Sequence, residues 1–419
     1  MTTGRPGCDT MGAMTVEQGE PDAETLTVLF LFSDTGAGHR RAAEAIIEAL
    51  ATAHPWRYRA VLCDPLTGPS AARPLRWLAR LYGPAVRLAP WAWGAAYYAS
   101  NSRLAMNVLW RTVFAPAAGA VRAAVAANAP DVIVSCHPLT GRAARLAAGH
   151  GQGRAPVVTV VTDLAATHVS WRYPPGDVLA LPTGQALAEC LAGGVPPARC
   201  TQPGLPVDAR AQAGPLPDDA RAALRRSLGL AERDFVVLIA GGGEGCGGLA
   251  RRTAALLRRG GDVHVVAACG RNERVRRRLA GRSGRAGGRL TVLGFSRNFT
   301  DWLRCADVVI TKAGPGIIAE AACCGTPLLL TSHLPGQERG NASLVVRAGA
   351  GRRVRGIGGM LREVERLRAD PDLLAAMRAG GQALARPAAA DRVAALVAGL
   401  AGSATDLVTA RPGPSGSRA

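Results

Sequence analysis

Along the chain, short unbroken apolar runs alternate with segments whose apolar positions recur every three or four residues. Residues 25–32 read T-L-T-V-L-F-L-F, a run of strand length that predicts a strand covered on both faces. The glycine turn S-D-T-G-A-G-H-R (33–40) follows. A-A-E-A-I-I-E-A-L (42–50) comes next and sets Ile46, Ile47 and Leu50 on one helical face. The same order returns, with strands predicted over 131–136, 157–162 and 178–181. Residues 201–218 carry Pro203, Gly204, Pro206, Gly214, Pro215 and Pro217 and break the rhythm. It then restarts with a strand over 235–240, the turn G-G-G-E-G-C-G-G (241–248) and a helix over 249–258. Further strands are predicted over 263–268, 290–293, 308–311 and 327–331, with a helix over 271–279. The pattern implies an α/β protein of two Rossmann-like halves with parallel sheets, 25–205 and 219–402, joined by a linker over 206–218. Residues 1–24 and 403–419 are polar or rich in Gly, Ser and Pro and are expected to be disordered.

One segment departs from this rhythm. Residues 77–110 hold Trp77, Tyr82, Trp91, Trp93, Tyr97, Tyr98 and Trp110 beside Arg76, Arg80, Arg87, Arg103 and Arg111. Trp and Tyr bury an apolar body while keeping a polar tip wet, which suits a lipid headgroup zone. A helical subdomain packing its own aromatics is the alternative. The chain of 419 residues carries a formal charge of +19, and Lys312 is the sole lysine among 50 basic residues, which is either a solvated arginine-rich surface or a functional one. Anionic lipid and nucleotide phosphate are the partners such a surface suits. Nucleic acid is not expected, because no recognition module is present. The 10 cysteines form no C-x-x-C pair, which points to packed thiols in a reducing, cytoplasmic setting. No signal peptide and no membrane-spanning run are read from the sequence.

The glycine turns carry the chemistry. A turn of this kind at a helix start brings backbone N–H groups and the helix dipole against an anion. Gly36 and Gly38 form the first. Gly242, Gly243 and Gly245 form the second, and Gly314, Pro315 and Gly316 form a third after the 308–311 strand. Gly243, Gly245 and Gly248 also spell G-x-G-x-x-G. The dinucleotide version needs an acid at the end of the next strand, and V-H-V-V-A-A-C-G ends without one. Glu320, at the start of the helix after the third turn, can accept two hydroxyl hydrogen bonds, as from a ribose. Its alternative is charge–dipole stabilisation of that helix. Gln337, Glu338 and Asn341 cluster in P-G-Q-E-R-G-N (335–341) and suit sugar hydroxyls or a helix cap.

The blocks S-D-T-G-A-G-H-R-R-A-A-E-A-I, V-V-T-D-L-A-A-T-H, G-G-G-E-G, A-C-G-R-N, T-K-A-G-P-G-I-I-A-E-A and P-G-Q-E-R-G-N resemble the signatures of monogalactosyldiacylglycerol synthases. More distantly they resemble the bacterial glycosyltransferase that adds N-acetylglucosamine in lipid II synthesis. The resemblance implies a GT-B fold and inverting, metal-independent transfer from a UDP-sugar to a lipid hydroxyl, with an acceptor and membrane side in 25–205 and a donor side in 219–402. It implies that Gly242–Gly245 hold the diphosphate, that Phe295 and Ser296 offer backbone to the uracil, and that Glu320 clasps the ribose. Gln337 and Glu338 would read the hexose, and His39 would lie near the acceptor.

Inverting transfer needs a base and positive potential for the leaving diphosphate. His39 is the leading base, since a helix N-terminus disfavours imidazolium. Asp34 and His168 are alternatives, and Asp163 is a candidate to orient one of them. His137 with Pro138 reads as a strand-end turn. Lys312 and Arg271 are the candidate cations. Neither a cofactor nor a divalent metal is expected; the UDP-hexose is a co-substrate, and Asp370-Pro-Asp372 reads as a helix cap. The chain departs from the family pattern at Ala37, in T-H-V-S-W (167–171), and at Ile317. A soluble or polyprenyl-type acceptor, or a non-catalytic nucleotide-sugar-binding protein, are the alternative functions. A cytoplasmic protein peripherally attached to a membrane is expected.

Overall fold

A computed structural model describes residues 25–34, 37–149, 154–243, 245, 248–296 and 298–409. The first sheet contains β1 (Leu26–Leu31), β2 (Tyr58–Cys63), β3 (Val132–Ser135), β4 (Val157–Val160), β5 (Val178–Ala180) and β6 (Cys200–Thr201). The second contains β7 (Phe235–Ala240), β8 (Val263–Ala268), β9 (Leu290–Leu293), β10 (Val308–Lys312), β11 (Leu328–Ser332) and β12 (Gly351–Arg353). The strand orders are β2-β1-β3-β4-β5-β6 and β12-β11-β10-β7-β8-β9, parallel throughout.

Each order reverses once, between β1 and β3 in the first sheet and between β7 and β10 in the second. Open parallel sheets bind ligands in the crevice at the carboxyl ends of the strands where the order reverses. These two crevices place the site.

Alternation within the apolar runs explains the layers. Val28 and Phe30 of β1 enter one core and Leu29 and Leu31 the opposite one, so the run needs no polar face. Strands β2, β6 and β12, which the apolar pattern does not predict, are a half-exposed strand with Arg59 in it, a two-residue strand and the edge triplet G-R-R. All three sit at or next to a sheet edge, where burial makes little demand on sequence.

The domain limits read from the sequence need correction. Helix Ala389–Thr409 carries Ala390, Val393, Ala394, Val397 and Ala401 into the core under Val28, Phe30 and Ile46. The chain therefore crosses back to the first domain well before residue 402, and the expected tail is helical as far as 409. Residues 1–24 and 410–419 lie outside the described residues. The expected linker is no free hinge either, because Val207 and Ala211 are buried in the second domain's core.

Between β2 and β3 the chain inserts helices Arg73–Leu88, Pro90–Ser100 and Arg103–Leu109, the last running through a π-turn into Ala115–Asn128. The helical stretch Arg103–Asn128 is long and apolar enough to cross a membrane by length and composition, which corrects the expectation that no such segment exists. In this fold Met106, Trp110, Ala117, Ala118 and Val121 pack it against Leu29, Leu31 and Ile133. Trp77 (65%), Leu88 (84%), Trp91 (74%) and Leu104 (76%) of the insertion face solvent. Trp93 is different: its ring stacks edge-on against Tyr82 at 4.9 Å.

Candidate active site

The helix after β1 starts at Ala37, earlier than its apolar spacing suggests, and so carries His39, Arg40 and Arg41 on its first turns. His39 is buried at the β1–β3 crevice. Its Nδ1 lies 2.9 Å from the Cys136 carbonyl oxygen and 2.9 Å from Thr162 Oγ1. A carbonyl only accepts, so Nδ1 carries the proton and Nε2 keeps its lone pair. Burial lowers the ring's pKa to about 4, against a smaller rise from the Cys136 hydrogen bond. The His137 ring meets it edge-on at 4.6 Å. The strand-end turn expected at His137 is thus also a wall of this site. Gly38 faces open space; Gly36 lies outside the described residues.

Asp34 and His168 stand differently from the expectation that either serves as base. Asp34 is gripped by Arg40 at 2.8 and 2.7 Å. Burial raises its pKa, but Arg40 and Arg271 outweigh burial and hold the carboxyl below its usual value. An ion-paired carboxylate held below its usual pKa is a poor proton acceptor. His168 caps helix Val169–Arg172: its Nδ1 accepts from the Ser170 N–H at 3.2 Å, and Nε2 lies 3.2 Å from Ser100 Oγ. Both ring nitrogens are engaged. Asp163 orients neither histidine; it accepts from Trp171 Nε1 at 2.7 Å and faces Gln337 Nε2 at 3.5 Å. Burial raises its pKa to about 7. Trp171, 6.1 Å from the His39 ring, completes that wall.

At the second crevice two turns interlock. Arg271 N–H donates to the Gly243 carbonyl at 2.8 Å and Gly245 N–H to that of Gly242 at 3.0 Å. A Cβ on Gly245 would lie 2.2 Å from the Cys269 oxygen, so glycine there serves turn-to-turn packing as well as any ligand. The Lys312 Cε lies 3.4 Å from where a Gly242 Cβ would stand, and its Nζ 3.3 Å from that of Gly314. The lone lysine thus sits between the second and third turns. Pro315 opens helix Pro315–Cys324 at a position where its missing N–H costs nothing, and Gly316 faces open space. Arg271 lies 5.1 Å over the exposed Phe295 ring, and Ser296 Oγ bonds Asn298.

Glu338 and Asn341 are committed elsewhere, and Glu320 is held in an ion pair. Glu338 is buried, bonded to Lys312 and to the Leu334 N–H, so it anchors the lysine. Asn341 is fully buried and donates to the Ala313 carbonyl at 2.9 Å, bracing the third turn. Glu320 is in the second turn of its helix, not at its start, and is buried; the charge–dipole alternative falls with that position. Its carboxylate meets Arg41 of the first domain. Asp370 accepts from the Leu373 N–H at 2.9 Å, a helix cap. Among the described residues no group of three or more His, Cys, Asp or Glu side chains is placed to hold a metal.

The two crevices face each other. Arg271 Nη2 lies 3.9 Å from Asp34, and the Arg41–Glu320 and Gln337–Asp163 contacts cross the same cleft. Beside them a cavity of about 400 Å³ is walled by Tyr97, Tyr98, Asn101, Thr167, Glu189 and Arg339. Gly336, with φ of 81°, presses against the Tyr97 ring, so the aromatic insertion touches the 335–341 loop. Sequence reasoning missed Arg41, Trp171 and this cavity. Trp171 closes T-H-V-S-W (167–171); Arg41 gives no signal beyond following His39.

The buried histidines set an acid limit. His39 and His168 have pKa values lowered to about 4, and His137 lies well below 6.5, each chiefly through burial. The unfolded chain binds these protons below its pKa near 6.5 and the folded chain does not, so stability is lost as pH falls from there. The cost reaches about 3 kcal/mol for each of His39 and His168 by pH 4. Asp163 acts in the opposite sense, since its raised pKa favours the fold as pH falls below about 7. The Tm is expected to fall between pH 7 and 5, and Asp163→Asn to steepen that fall. A Tm unchanged over this range in thermal melts contradicts the burial assignment.

Two parallel α/β domains with opposed crevices define the fold class, GT-B. The chain superimposes on Acinetobacter baumannii MurG with a TM-score of 0.56 at 15% identity, over 90% of this chain and 99% of that one. For the UDP co-structure of S. aureus MnaA the TM-score is 0.59 at 15% identity, over 94% and 100%. These likenesses speak to the fold. Residues 39–207 match the monogalactosyldiacylglycerol (MGDG) synthase family and residues 236–366 the C-terminal domain of glycosyltransferase family 28. The probable monogalactosyldiacylglycerol synthase 2, chloroplastic, of Oryza sativa subsp. indica is 32% identical over 349 residues, 81% of this chain and 73% of that protein. The Arabidopsis thaliana monogalactosyldiacylglycerol synthase 2 is 32% identical over 337 residues, 78% and 70%. The chain belongs to the monogalactosyldiacylglycerol synthase family.

Proposed function

We propose that the protein moves a hexose from a UDP-sugar to the free hydroxyl of a lipid such as diacylglycerol, with inversion and without a metal. Galactose is the hexose that the relatives' names suggest. The observation that carries this reading is the family membership joined to one cleft holding an uncharged buried histidine on one side and interlocked glycine turns on the other. His39 Nε2 takes the acceptor's proton while its oxygen bonds to the anomeric carbon. The bond from that carbon to the β-phosphate oxygen breaks, and its electron pair leaves with UDP. Diphosphate charge in the cleft raises the ring's proton affinity as the transfer proceeds. Backbone dipoles at the second and third turns, with Lys312 and Arg271, take up the developing negative charge. Glu338 fixes the lysine for that purpose, Glu320 takes the ribose hydroxyls, and Phe295 and Ser296 border the uracil.

Incubation with UDP-galactose, UDP-glucose and diacylglycerol, with mass spectrometry of the lipids, tests the reading. Hexosyl-diacylglycerol is the expected product. UDP binding without any product from diacylglycerol or a total lipid extract would favour a binding protein and overturn it.

The acceptor is a lipid, so the insertion's exposed Trp77, Leu88, Trp91 and Leu104, set among arginines, is the peripheral membrane contact. Each buried aromatic contributes about 1.5–3 kcal/mol. Trp77→Ser with Trp91→Ser is expected to weaken binding to phosphatidylglycerol vesicles at least ~10-fold. Unchanged pelleting with those vesicles would remove the insertion from that role.

A further inference from the structure

The Arg41 guanidinium reaches across the cleft to Glu320, a residue 279 positions away, with Nη1 at 2.9 Å from one carboxylate oxygen and 3.2 Å from the other. A single nitrogen thus sits astride the open edge of the carboxylate. A vicinal diol binds a carboxylate along that same edge, one hydroxyl to each oxygen. Arg41 and a diol cannot occupy it together. Among the described residues Arg41 is the one side chain bonded to Glu320, whose side chain is 5% exposed while that of Arg41 is 34% exposed. One partner is fixed in the second domain; the other stands in the cleft mouth and can leave. A resting place lies beside it, since the guanidinium is already 5.4 Å from the Phe299 ring centroid.

We propose that Arg41 is a stand-in for the ribose: it holds the ribose carboxylate when no nucleotide is bound, and the cis-diol of a uridine diphosphate displaces it. The inference rests on the assignment of Glu320 to the ribose. Three consequences follow from its geometry. With no nucleotide bound, the cleft would be closed by an ion pair that satisfies a buried carboxylate, which is otherwise costly to leave bare. Nucleotide affinity is lowered by the free energy of that pair. The two domains, joined through Arg41 and Glu320, part at this point when the nucleotide enters.

The test is UDP binding by calorimetry for the full chain, Arg41→Ala, Glu320→Gln and the double variant, with thermal melts to show that each is folded. Arg41→Gln replaces Arg41→Ala if the latter melts below the assay temperature. Removing the competitor is expected to tighten UDP binding ~3- to 10-fold, the range of a half-exposed ion pair. Glu320→Gln is expected to weaken it about tenfold, and in that background removal of Arg41 is expected to change nothing. If Glu320→Gln weakens UDP binding but folded Arg41 variants bind equally or more weakly than the parent, the stand-in is refuted and the ribose assignment stands. If the parent binds UDP and Glu320→Gln binds it equally well, the ribose assignment itself fails, and this inference with it.

Discussion

His39→Ala is expected to lower kcat by about 10²–10⁴-fold, the usual range for loss of a general base, while UDP affinity stays within about twofold. Selective loss is expected because the ring belongs to the first domain, across the cleft from the glycine turns of the second. It follows β1, and its Nδ1–H is fixed by the Cys136 carbonyl, which leaves the Nε2 lone pair to take a proton. Burial lowers its pKa to about 4, so the lone pair is available through the neutral range and His39 itself sets no acidic limb above pH 5. A purely structural histidine would behave otherwise. Packed against His137 and Trp171, its truncation would lower Tm and leave the turnover of folded protein near normal. Single-turnover rates on the folded fraction separate the two, and a rate within threefold of the parent removes His39 from the base role.

Gly270→Val is expected to raise the KM for the UDP-sugar at least ~10-fold and to destabilise the second domain by about 2–4 kcal/mol. At φ of 57° the residue occupies a left-handed conformation that a β-branched side chain resists. Strain is the smaller part. A Cβ there would lie 2.4 Å from the Gly243 oxygen and 2.7 Å from that of Gly242, and both are backbone atoms that cannot rotate aside. Relief requires the turn after β7 to move away from the turn after β8. That movement breaks the Arg271 N–H bond to Gly243 and carries Arg271 off Phe295. Urea melts and donor KM measured on one preparation check both effects. Parental values of each would show that the two turns are not packed as described.

The sequence made the sheet centres legible and the edges not. Strands such as β1, β7 and β8 are covered on both faces, so burial forces continuous apolar runs; G-R-R of β12 at the sheet edge answers to no such demand. The glycine turns and His39 were legible for a related reason, since backbone geometry and a helix start constrain residue type locally. What stayed hidden was pairing across the cleft. Nothing near residue 41 says that its partner is Glu320, and nothing near Glu338 says that Lys312 and the Leu334 N–H consume both its oxygens. Asp163 looks like a partner for histidine because acids so often are; its partner is the indole of Trp171, a group that looks like core until its N–H is accounted for. The return of helix Ala389–Thr409 to the first domain was equally invisible, because its apolar spacing fits either core.

A crystal structure with UDP bound tests the cleft most directly. The expected result places the ribose hydroxyls within hydrogen-bond distance of Glu320, the diphosphate against the turns at Gly242–Gly243 and Gly314–Gly316 with Lys312 beside it, and Arg41 withdrawn. A nucleotide seated outside the interdomain cleft, or one whose ribose leaves the Arg41–Glu320 pair intact, would contradict it.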